Sequence, residues 1–89
     1  MPYFNGQIIS GEFDNETNIF SLQKVKSFTT ESSLKENQLH DLYNYLKKHE
    51  HEKEGQIITL YDQMLVPLTQ VELKALMSDL EFVQTKYQQ

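Results

Sequence analysis

The stretch Pro67-Leu68-Thr69-Gln70-Val71-Glu72-Leu73 turns from extended chain into helix within seven residues, and the fold reads outward from it. Thr69 and Glu72 stand at capping-box spacing, where each side chain accepts the other residue's free backbone N–H. Leu68 before the cap and Leu73 five residues on are placed for a hydrophobic staple, and Pro67 closes the preceding extended segment. Leu73, Leu76, Met77, Leu80, Val83 or Gln84, and Tyr87 then recur at helical spacing. This predicts a helix over about 70–86.

Moving back along the chain, Ile57–Tyr61 and Met64–Leu68 read as a strand pair across Asp62 and Gln63, although that turn lacks the usual glycine. A second capping-box pattern, Ser33-Leu34-Lys35-Glu36, precedes Leu39, Leu42, Tyr43 and Leu46 at helical spacing. Lys47 and Lys48 suit a helix C-terminus, the acidic run His49–Glu54 favours fraying, and Gly55 is the natural stop. Gln7–Phe13 and Ile19–Phe28 read as strands around the polar turn Asp14–Asn18.

The order is therefore strand, strand, helix, twice over. Gly6-Gln7-Ile8-Ile9-Ser10 matches Gly55-Gln56-Ile57-Ile58-Thr59 at every position but a Ser/Thr exchange. We expect a single α+β domain over 1–89, a tandem duplication of ββα units at about 6–50 and 55–87. The predicted product is a four-stranded antiparallel sheet with both helices packed on one face.

Composition narrows the function classes. The 89-residue chain has no cysteine, so it has no disulfide, no thiolate nucleophile and no Cys-based zinc site. Its formal charge is −5, and all eight basic residues are lysine. Arginine is the favoured tool for phosphate and guanine recognition, so direct nucleic-acid binding is not expected. That lack of arginine, with abundant Lys, Asn, Gln and Ile, suits an AT-rich genome, bacterial or phage. No segment reaches the length of a membrane span, and the N-terminal residues lack a signal-peptide pattern. The expected setting is cytoplasmic, without membrane contact.

No catalytic pattern emerges. There is no GxSxG elbow, no GxGxxG or GxxxxGK[ST] loop, and only three glycines. His49 and His51 sit two apart among carboxylates and are the only weak metal candidates; a solvated charged loop explains them as well. His40 beside Asp41 reads as a surface histidine, since adjacent helical residues do not face each other. The chain is expected to be non-enzymatic and to need no cofactor.

Helix 70–86 carries a second apolar stripe. At about 100° per residue, Val71, Ala75 and Phe82 lie together opposite the Leu73–Tyr87 stripe. Unless the first helix covers them, they form an association surface, with exposed Tyr45 as a further interface residue. This predicts a small protein-interaction module, a regulator or accessory factor with a protein partner or a second copy of itself. The alternative is a phage-type acidic inhibitor occupying a nucleic-acid-binding surface of a host or defence enzyme, which requires the acidic residues to gather on one face.

Overall fold

The computed structural model describes residues 3–52, 56–59 and 65–87. Four strands come first: β1 (Tyr3–Asn5), β2 (Ile9–Asp14), β3 (Ile19–Val25) and β4 (Phe28–Leu34). Helix α1 (Glu36–Lys48) follows, then β5 (Gln56–Thr59), β6 (Leu65–Leu68) and α2 (Gln70–Gln84). The α+β class, the four-stranded antiparallel sheet and the two helices are as expected. The origin of the strands is not.

All four strands of the sheet precede α1, in the order β1-β2-β3-β4, while β5 and β6 form a separate antiparallel pair. The expected ββαββα order is therefore corrected to ββββαββα. One reason is a hairpin inside the segment expected as a single strand, Ile19–Phe28. There Val25 pairs with Phe28 across Lys26 and Ser27, and Lys26 takes a left-handed φ of 57°. Tight hairpins need that conformation, which Gly or Asn usually supplies. A lysine hid the turn. Asn18, with φ 59°, closes the Asp14–Asn18 turn in the expected way; its N–H reaches the Asp14 carbonyl at 2.8 Å.

The second correction lies at the start of α1. Ser33 and Leu34 pair with Ser21 and Phe20 in the sheet, so Ser33 does not cap the helix. Lys35 holds the N-cap position, and its N–H donates to the Gln38 side chain at 2.8 Å. At the other end the helix stops at Lys48 with His49 as its C-cap; the expected stop, Gly55, lies outside the described residues, as do Asp62 and Gln63.

The Thr69 capping box forms as predicted. Glu72 N–H donates to Thr69 Oγ1 at 3.1 Å, and Thr69 N–H to Glu72 Oε1 at 2.9 Å. The Thr69 amide, and after it the Lys26 ammonium, holds the Glu72 carboxyl below its usual range. Lys26 reaches Glu72 at 3.0 Å and the Pro67 carbonyl at 3.0 Å, tying the β3–β4 turn to the start of α2.

One core unites these elements. Ile9, Phe13, Phe20, Leu22, Val25 and Leu34 from the sheet meet Leu73, Leu76, Leu80 and Val83 of α2, with Leu39 and Leu46 of α1 and Val66 and Leu68 of β6. The opposite sheet face is polar, with Ser21, Glu31 and Ser33 on it, so both helices lie on the apolar side. The helices run antiparallel. Gln70 of α2 donates to the Glu50 carbonyl beyond the end of α1, and Gln84 meets His40 near its start. Among the described residues no helix is long and apolar enough to cross a membrane.

Candidate functional site

The site is built from the two ends of the chain. Among the described residues β1 is an edge strand, paired with β2 in the register Tyr3–Glu12, Phe4–Gly11 and Asn5–Ser10. Its position is set by a buried carboxylate. Asp79 of α2, 4% exposed, accepts the backbone N–H groups of Gln7, Ile8 and Ile9 at 3.0, 2.7 and 3.1 Å. Gly6 lies directly beside it; a Cβ there would come within 2.6 Å of the Asp79 carboxyl carbon and of the Phe4 ring.

With the β1–β2 turn anchored, Phe4 stacks on Phe82 at a centroid separation of 5.1 Å and an interplanar angle of 18°. Phe4 also meets Phe20 edge-on at 6.4 Å. Between β1 and the last turns of α2 a groove of about 330 Å³ remains. Phe13, Phe20 and Val83 form its floor, the stacked Phe4 and Phe82 a wall, Tyr3 borders it, and Lys86 stands at its mouth. The Lys86 ammonium lies 4.9 Å from the centroid of the Phe82 ring, within cation–π range. Phe82 is 50% exposed, so the wall that it forms with Phe4 offers aromatic surface to a ligand.

The residues predicted from the sequence separate here. Phe82 enters the groove. Val71, 79% exposed, sits eleven residues earlier, roughly 16 Å along the helix axis, and Ala75 between them is half-buried. Helix α1 does not cover this side. It lies on the flank where Tyr43 donates to Glu81 at 2.7 Å, a bond that raises the Tyr43 phenol above its usual range. Tyr45 is 40% exposed on α1 with its ring against His49, and it does not line the groove. Of these four residues Phe82 alone lines the groove; Val71 and Ala75 precede it along α2, and Tyr45 lies on α1.

His49 and His51 likewise turn to different carboxylates. His49 pairs with Glu52, and His51, largely exposed, with Glu50 at 3.5 Å. The chain is in a turn there, not extended, so the two rings do not converge. Among the described residues no group of three or more His, Asp or Glu side chains is arranged to hold a metal. The acidic residues are also divided: Asp14 and Glu16 stand at the β2–β3 turn, near where Tyr87 reaches Leu34, whereas Glu50 and Glu52 follow the far end of α1.

Tyr3, Phe4, Lys86 and Asp79 were not predicted as functional. Tyr3-Phe4 directly before Asn5-Gly6 is an aromatic pair leading into a turn dipeptide, which is a strand signal. Asp79 lies on the shoulder of the apolar stripe beside Leu76 and Val83, a place where a charge implies an internal partner. No protein-family model matches the sequence, and no curated protein or solved structure matches it.

Proposed function

We propose that this chain is a small non-enzymatic protein-interaction module, a regulator or accessory factor that takes hold of another polypeptide through the groove between β1 and α2. The observation that carries this reading is the groove itself: an apolar concavity with a half-exposed aromatic wall, beside a strand that pairs on one side only among the described residues. Apolar concavities with a few polar groups at the rim are the usual form of a binding site, and aromatic side chains dominate binding energy in such places.

The test compares two exposed positions on one helix. Phe82→Glu places a charge in the groove, and Val71→Glu places one at an exposed position outside it. Mass in solution across a concentration series, with capture from the native source in parallel, reads self-association and hetero-association together. Association that survives Val71→Glu and disappears with Phe82→Glu supports the reading. A monomer that captures nothing in a Phe82-dependent way removes it.

A further inference from the structure

We propose that the occupant of the groove is an extended segment of a partner protein that adds to β1 as a fifth strand, setting an apolar side chain into the groove against the stacked Phe4 and Phe82 and a carboxylate against Lys86. This deepens the reading above and rests on it.

Backbone geometry is the first support. Gly6 N–H donates to the Ile9 carbonyl at 2.8 Å, which makes that pair a hydrogen-bonded one in the β1–β2 ladder. Hydrogen-bonded and open pairs alternate along antiparallel strands. Phe4 and Gly11 are therefore bonded to each other, and the N–H and C=O groups of Tyr3 and Asn5 point away from β2. Those groups are the donors and acceptors that an added strand uses. The groove runs beside them, so every second side chain of an added strand falls on its side.

Charge selects the partner. The chain as a whole is acidic, at −5, and would favour a basic ligand. The groove lining reverses that preference, since Lys86 is the one charged residue in it and has no ion pair among the described residues. Asp79, the nearest buried carboxylate, already accepts three backbone N–H groups. A second copy pairing edge to edge through its own β1 would bring Tyr3, Phe4 and Asn5, and the first carboxylate of the chain is Glu12 on β2. An acidic partner strand sets a carboxylate directly against the Lys86 ammonium, whereas the β1 of a second copy carries none and holds its Glu12 one strand further out, opposite Tyr3.

The probes are fluorescein-labelled peptides with the core Xaa-Val-Phe-Val-Xaa, where both Xaa residues are Asp, Asn or Lys, read by fluorescence anisotropy. Carboxylates on both sides remove dependence on strand direction. The Asp peptide should bind about two- to fivefold more tightly than the Asn peptide, as a half-exposed ion pair allows, and the Lys peptide less tightly still. Lys86→Gln should erase that difference, so that the three peptides bind alike, and Phe82→Glu should abolish binding of all three. N-methylating the phenylalanine amide and the valine amides separately should weaken binding roughly tenfold or more for one set only, since alternate amides face β1. Equal binding of the Asp, Asn and Lys peptides would overturn the carboxylate assignment while leaving the interaction reading intact. Tolerance of both methylations would overturn strand addition. If no peptide binds but Phe82-dependent association persists, the occupant is of another kind and this proposal fails. If neither is observed, it fails together with the reading it rests on.

Discussion

The Asp79 carboxylate on α2 accepts the backbone N–H of Ile8 at 2.7 Å, joining residues 71 positions apart. The same carboxylate takes the N–H groups of Gln7 and Ile9, so a single side chain satisfies three consecutive amides where the chain turns from β1 into β2. Bonds to a charged acceptor are stronger than neutral ones, and leaving buried donors unpaired is costly. The edge strand, and with it one wall of the groove, is held by this contact.

Asp79→Ala should therefore destabilise the domain by about 3 kcal/mol, the range seen when buried charged hydrogen bonds lose one partner. Asp79→Asn keeps one acceptor oxygen and should cost less, about 1–2 kcal/mol. Urea unfolding followed by far-UV circular dichroism measures both. A loss below about 1 kcal/mol for the alanine variant would show that the three bonds contribute little in water.

Gly11 makes a separate packing demand on the sheet. A Cβ at that position would lie 2.1 Å from the Ser21 carbonyl oxygen and 2.9 Å from the Phe20 ring. The oxygen belongs to the neighbouring strand, so β2 and β3 would have to part locally. Gly11→Ala should cost about 1–3 kcal/mol, the usual range for overpacking, and should lower the urea midpoint accordingly. An alanine variant as stable as the parent would contradict the close approach of the two strands.

How much of this was legible in the sequence depended on whether the signal was local. The Thr69–Glu72 capping box and the α2 periodicity are local, and both form over nearly the predicted residues. The β3–β4 hairpin was hidden because Lys26 occupies a left-handed turn position without the residues that advertise one. Ser33 reads as a cap by spacing, but the ladder with Ser21 claims it first. In the candidate site, the sequence marked Phe82 as surplus apolar surface, and Phe82 is exposed. Its neighbours Tyr3 and Phe4 come from the other end of the chain, and no pattern along a helix could bring them to it. Asp79 was read as one of the polar residues between two stripes, because its partners are backbone amides that carry no side-chain signature.

Tyr87 predicts an alkaline limit to stability. Its hydroxyl donates to the Leu34 carbonyl at 2.6 Å, and its ring meets Phe13 edge-on at 4.9 Å. Burial pushes the phenol above its ordinary value of 10.0. A group whose folded pKa is raised contributes stability that is complete below its unfolded pKa and is lost as pH rises toward the folded one. The domain should therefore weaken above about pH 10, and Tyr87→Phe should show a flatter alkaline limb. At neutral pH the same variant loses one buried hydrogen bond and should be about 1–2 kcal/mol less stable. Thermal melts at pH 7 and above pH 10 separate the two effects; parallel alkaline limbs would remove the assignment to Tyr87.

The stacked pair Phe4 and Phe82 should couple energetically, and this tests the groove wall without any partner. Phe82 is half exposed, so Phe82→Leu alone should cost about 1 kcal/mol, well below the cost of truncating a core phenylalanine. Phe4→Leu removes the same stack together with its edge contact to Phe20, and should cost more. If the rings face each other in solution, the double variant loses the stack only once, and the cycle yields a coupling of about 0.5–1.5 kcal/mol. Strict additivity would mean that the two rings do not stay together, and that the wall they form is not there for a ligand to meet. The Asp79→Ala background extends the test: with the β1–β2 turn released, the coupling should shrink, because the contact that holds Phe4 over Phe82 has been removed.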